Sequence, residues 1–135
     1  MSFTIEDRFK IPENEAVVDF ILRNGTLSAH DEVAEVLTRS AEGLADVKWY
    51  CPDVHRYAYV VLHTGRHRIF GIAFGQRTLA YRLPQQRQAE AVAAGAQPCG
   101  DIGHDWMMFD PWKDAGKPLD TRDWCKRAYE YVGKG

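Results

Sequence analysis

Residues 57–84 read YAYVVLHTGRHRIFGIAFGQRTLAYRLP. β-Branched and aromatic residues dominate, and Gly65, Gly71 and Gly75 interrupt them, a composition of strands and not of a helix. Thr64-Gly65-Arg66-His67 and Phe74-Gly75-Gln76-Arg77 each set Gly-X between two strand runs, as a two-residue type II′ hairpin turn requires. Tyr57 to Thr64, Arg68 to Phe74 and Arg77 to Leu83 are therefore expected to form an antiparallel meander. Two-residue turns would pair Tyr57 with Phe74, Tyr59 with Ile72, Val61 with Phe70 and His63 with Arg68, with Leu79, Tyr81 and Leu83 on the same, core-forming face. The opposite face would then carry Ala58, Val60, Leu62, Ile69, Gly71, Ala73, Ala80 and Arg82. This is a floor of mostly small side chains. Either a helix of the same chain covers it, or it is open to a planar ligand or a second copy of the chain.

Outward from the meander the pattern changes period. Asn14 to Asn24 carries Val17, Val18, Phe20, Ile21 and Leu22, with Gly25 just beyond, which predicts a short helix. Ser28 has Asp31 three residues on, close to a capping box, and Val33, Val36, Leu37, Ala41 and Leu44 follow at helical spacing, so a second helix is expected over Ser28 to Leu44. The short polar spacer between the two predicts antiparallel neighbours. Trp49-Tyr50 reads as a strand ahead of the meander. Beyond it, Pro84 opens a helix that runs to Ala94 before Gly95, Asp105 to Phe109 is a short strand, and Asp120 or Thr121 caps a helix with Trp124, Cys125, Ala128, Tyr129 and Val132 on one side. With 135 residues, the chain has the size of one domain. The expected architecture is a single-domain α+β fold, with a helical part over about 14–44 and a sheet-containing part over about 47–132.

Charge is unevenly distributed. The chain has 17 Lys and Arg against 19 Asp and Glu, with a formal net charge of −2 and a pI near 6.2, without the global positive charge of a nonspecific nucleic-acid binder. Between Asp53 and Glu90, however, there is no acidic residue, while Arg56, Arg66, Arg68, Arg77, Arg82 and Arg87 and the histidines His55, His63 and His67 all fall there. Those six arginines against none leave 11 basic and 19 acidic residues elsewhere, +6 against −8. Planar guanidinium forks suit bidentate contacts to carboxylate or phosphate. Two readings follow: the arginines pair with acids of neighbouring elements, or Arg66, Arg68, Arg77, Arg82 and His67 recognise an anionic partner, either nucleic acid or a small phosphorylated or carboxylated ligand.

Other segments offer weaker chemistry. Two-residue turns would set His63 and His67 on opposite faces of the hairpin. Cys99, Asp101, His104 and Asp105 fall within seven residues and bring together donor types that suit zinc or iron, or a thiol enzyme, but in no known metal spacing. Trp106 to Trp112 reads as core filling, with Trp112 and Trp124 expected to be partly exposed. The three cysteines, Cys51, Cys99 and Cys125, include no Cys-x-x-Cys pair and suit reduced thiols. No apolar run approaches the roughly 20 residues that span a bilayer, and Met1 to Lys10 is too polar for a secretion signal, so a cytoplasmic protein without a membrane partner is expected.

The order of elements carries a resemblance. Arg82-Leu83-Pro84-Gln85-Gln86-Arg87-Gln88-Ala89-Glu90 opens a helix, and Asp105-Trp106-Met107-Met108-Phe109 and a closing helix follow. Over about Val47 to Val132 this resembles the small MmcQ/YjbR-like proteins and, more distantly, the TfoX N-terminal-like domains. In those families a strand ending in a leucine-proline step leads into a helix, then a Trp-containing strand and a C-terminal helix. They are mostly bacterial cytosolic domains whose fold has been likened to DNA-binding ones, so the resemblance implies a binding module and supplies no catalytic residue. The function expected from the sequence is non-enzymatic recognition of an anionic partner, with no cofactor. The alternatives left open are a small metal-dependent or thiol enzyme at Cys99 to Asp105, and a homodimer joined through the small-residue face.

Overall fold

The computed structural model describes residues 5–24, 29–52, 58–112 and 119–133. After two short 3₁₀ turns, Asp7–Phe9 and Pro12–Asn14, come α1 (Glu15–Asn24) and α2 (Asp31–Ser40). The strands are β1 (Val47–Tyr50), β2 (Val60–Thr64), β3 (Ile69–Phe74), β4 (Thr78–Arg82), β5 (Gln97–Pro98) and β6 (Trp106–Phe109), with α3 (Gln85–Ala93) after β4 and α4 (Arg122–Gly133) at the end. All pairings are antiparallel, in the order β1-β2-β3-β4-β6-β5. The expected α+β fold is present, with the meander at the centre of its sheet. Gly25, Ser28, His55, Arg56 and Tyr57 lie outside the described residues.

The register differs from the expected one at both turns. Phe74 pairs with Thr78, Ala73 with Leu79 and Ile72 with Ala80, so the second loop has three residues, Gly75-Gln76-Arg77, with Gly75 at φ +64°. One extra residue reverses the faces of β4. In the first turn, Thr64 N–H donates to the Arg68 carbonyl (3.0 Å) and His67 N–H to the Thr64 carbonyl (2.9 Å). This loop too has three residues, and its left-handed residue is His67 (φ +66°), the hairpin form in which a tight turn ends on an αL residue. Gly65 is not in the left-handed region, so the type II′ expectation fails there. His63 then pairs with Ile69 but Leu62 with Gly71, leaving Phe70 as the extra residue of a bulge.

Both sheet faces are consequently buried, each under its own cover. Val60, Leu62, Phe70, Ala73, Leu79, Tyr81 and Leu83 pack with Val33, Ala34 and Leu37 of α2 and Cys125, Ala128 and Val132 of α4. Tyr59, Val61, Ile69, Ile72 and Ala80 pack with Phe9 and with Val17, Val18, Phe20 and Ile21 of α1. The helices α1 and α2 are thus on opposite faces and not antiparallel neighbours, because a sheet apolar on both sides needs cover on both. The small residues also divide, Gly71 and Ala73 to one face and Ala58 and Ala80 to the other, all buried. They do not form one open floor: of the two alternatives, helices of the same chain cover the faces that carry them. A side chain at Gly71 would begin 3.3 Å from Leu37 Cδ1 and from the Tyr81 ring; its absence lets α2 sit close.

Local capping follows the chemistry of the residues present. His30 precedes α2, its imidazole Nδ1 accepting from Glu32 N–H (3.2 Å). Asp31 and Glu32 in the first turn suit the positive end of the helix dipole. Asp120 Oδ1 accepts from Arg122 N–H (3.0 Å) at the start of α4, while Thr121 turns inward to Ser40 Oγ (2.7 Å) and the Tyr81 hydroxyl (3.0 Å). Ser40 in turn donates to the Val36 carbonyl (2.7 Å), so this buried hydroxyl chain ties α2, β4 and α4 with every link satisfied. Among the described residues no helix is long and apolar enough to cross a membrane.

Candidate functional site

The arginines of the acid-free stretch divide into two groups. Arg82 lies against Asp105, Nε to Oδ2 2.6 Å, and its Nη1 donates to the Glu13 carbonyl (2.8 Å). Arg68 donates through Nη1 to the Val132 carbonyl (2.8 Å), near the end of α4, and has its Nε 3.4 Å from the Glu13 carboxylate. Arg77 holds Asp110 (2.9 Å) and the Trp112 carbonyl (2.8 Å). Arg68, Arg77 and Arg82 thus each meet an acid from outside the stretch: for these three the charge asymmetry along the sequence is a set of clasps in space.

Asn14, wholly buried, completes this clasp. Its Nδ2 donates to the Phe9 carbonyl (2.9 Å) and the His67 carbonyl (2.7 Å), and its Oδ1 accepts from Ile69 N–H (2.8 Å). The backbone groups freed by the αL residue and the bulge therefore find their partners in one side chain from the N-terminal segment. In the sequence Asn14 reads only as the start of a helix. An isolated amide before an apolar run carries no signal of such a role.

Arg66 behaves differently. It is exposed at the tip of the β2–β3 loop, and its guanidinium has no hydrogen-bond or ion-pair partner among the described residues. Lys48, exposed on β1 opposite His63, has no ion pair there either. Beside them His63 and His67 stack at 5.7 Å with ring planes 30° apart, and Phe9 presents its ring edge-on to both. The expectation that they lie on opposite faces fails, because the αL turn at His67 folds the second ring back beside the first. Burial lowers the His63 pKa below its ordinary value, opposed by the hydrogen bond with the Thr64 carbonyl and aided by the nearby His67, Arg8 and Lys48. Arg8 sits 4.8 Å from the Phe9 ring centre and is paired with Glu6. Trp49, on the sheet face opposite to Lys48, is 56% exposed, more than Trp112 or Trp124, which are partly buried. The β1 end of the sheet thus combines free cations, imidazoles and an exposed aromatic ring. The asymmetry of charge pointed to Arg66 and His67, whereas Lys48 and Trp49 were missed because exposure is a tertiary property.

A second feature is a cleft of about 510 Å³ at the start of α3, lined by residues that include Gln85, Arg87, His104, Arg127 and Tyr131. Arg87 and Arg127 both bind Glu90, which is not among the lining residues (3.0 and 2.8 Å), and these bonds hold its carboxyl below the usual range.

The segment expected as a metal or thiol site is dispersed. Cys99 is buried and its thiol pKa is raised by burial, and Asp105 is held by Arg82. Asp101 and His104 are exposed, and their carbonyls receive Arg23 and Gln88. Among the described residues no three His, Cys, Asp or Glu side chains gather as metal ligands.

No family model, curated protein or solved structure matches this chain.

Proposed function

We propose that the chain is a non-enzymatic, cytosolic binding module that recognises an anionic partner at the β1 end of its sheet. Lys48 and Arg66 supply the charge, and His67 and Trp49 supply neighbouring contacts. What carries the reading is that Lys48 and Arg66 lack ion pairs among the described residues, while Arg68, Arg77 and Arg82 are spent on the fold. An unpaired surface cation is available to a ligand without first breaking an internal bond. A kinship with the MmcQ/YjbR-like proteins would agree with a binding role and remains part of the proposal.

The test is a thermal-shift and fluorescence-anisotropy panel of phosphorylated metabolites, dicarboxylates, acidic peptides and short oligonucleotides, since a ligand that binds only the native state raises the melting temperature. The reading expects a salt-sensitive binder whose affinity falls in a Lys48→Gln/Arg66→Gln variant. Affinity unchanged in that variant would overturn it.

A further inference from the structure

We infer that the anionic partner is an extended acidic polypeptide segment, which adds to the outer edge of β1 as a seventh strand. The inference rests on the anion reading above and names its partner and its mode of binding.

The first support is the contrast between the two sheet edges. β5 is two residues long and includes Pro98, which has no N–H to offer. Such an edge is protected. β1 is four residues long and terminal in the sheet, and no backbone bond among the described residues reaches its outer side. An extended chain is the one class of partner that can use a row of main-chain donors and acceptors in register.

The second support is the side-chain pattern. Alternation along β1 sets Lys48 and Tyr50 on the face of His63 and Val61, and Val47 and Trp49 on the face of Thr64 and Leu62. A strand laid against it with acidic and apolar residues in alternation would turn its carboxylates towards Lys48 and its apolar side chains towards Trp49. Arg66 adds positive charge from the adjoining loop. Acids do occur nearby: Glu6 is held by Arg8 (3.1 Å), and the Asp46 carboxylate, just before β1, occupies the space that a side chain at Gly65 would need.

Charge also selects among occupants. A second copy of the chain, docked edge to edge, would bring Lys48 near its own counterpart, which disfavours self-pairing. A long nucleic acid would meet the excess of acids carried outside residues 53–90. A short acidic strand meets neither obstacle.

The experiment titrates the full chain into a fluorescein-labelled Glu-Val-Glu-Val-Glu-Val peptide and follows anisotropy, with the Lys-Val counterpart and a thymidine dodecamer as comparators. An edge-paired strand uses alternate amides. N-methylating one alternate set should therefore abolish binding, and methylating the other should leave it unchanged. Lys48→Gln with Arg66→Gln should weaken binding by roughly tenfold, as expected for two exposed charge contacts, and Trp49→Ala should weaken it further; thermal melts of each variant establish that it is folded. Equal binding of both methylated peptides would overturn strand addition and leave the anion reading standing. Binding of the dodecamer but not of the acidic peptide would do the same. Silence towards every probe would overturn both.

Discussion

At the α3 side of the sheet Arg82 is 22% exposed, lies 2.6 Å from Asp105 and holds a carbonyl of the N-terminal segment, whereas at the β1 edge Arg66 and Lys48 face solvent with no ion pair among the described residues. Arg66 and Arg82 come from one acid-free stretch of sequence, so residue type does not separate them. Environment does. A half-buried guanidinium must be fully bonded or it costs stability, while an exposed one is hydrated and available. The first group is therefore expected to control stability with little effect on binding, and the second the reverse.

The strongest way to break that contrast is at Asn14. Asn14→Ala leaves two carbonyls and one N–H without the partner they have in the buried clasp, and should cost about 3 kcal/mol in urea denaturation, at roughly 1–3 kcal/mol per buried group less what water recovers. A loss below about 1 kcal/mol would mean that the clasp is not structural. Arg82→Met should follow with a loss of about 2 kcal/mol, since it strands the Asp105 carboxylate and the Glu13 carbonyl; unfolding curves that superimpose on those of the parent would contradict it.

A smaller effect is expected in the pH dependence. The folded-state pKa of His63 is lowered, so the unfolded chain binds the proton more readily. Its contribution is fully present above the unfolded value of about 6.5 and is lost as pH falls through the lower folded value. Melting temperature should decline below about pH 6.5, before the paired carboxylates protonate, and His63→Gln should flatten that part of the curve. An unchanged slope in the variant would assign the decline to other groups. The smallest change in stability, within about 0.5 kcal/mol, is expected for Arg66→Gln and Lys48→Gln, measured by the same denaturation; a larger loss would mean that these cations belong to the fold after all.

Legibility in the sequence followed the range of the interactions concerned. The meander, the helix after Pro84, the Trp106 strand and the closing helix were visible because periodicity and turn residues act over a few positions. The faces were legible in part: Tyr59, Val61 and Ile72 share one as expected, because the bulge at Phe70 offsets the added residue of the first loop, whereas the added residue in the Gly75 loop reverses the faces of β4, and neither irregularity leaves a compositional trace. The candidate site was visible in part: the arginine excess drew notice to Arg66 and His67 together with Arg68, Arg77 and Arg82, although three of these are clasped to Glu13, Asp110 and Asp105.

By itself, the sequence determined the α+β class, the antiparallel meander and the uneven distribution of charge. All three are properties of local pattern and count. Only the tertiary structure decided which arginines are spent and which have no ion pair among the described residues, which edge of the sheet is blunt, and how His63 comes to lie beside His67. Each depends on pairing between residues far apart in the chain, and the register of a sheet is fixed by burial on both of its faces at once.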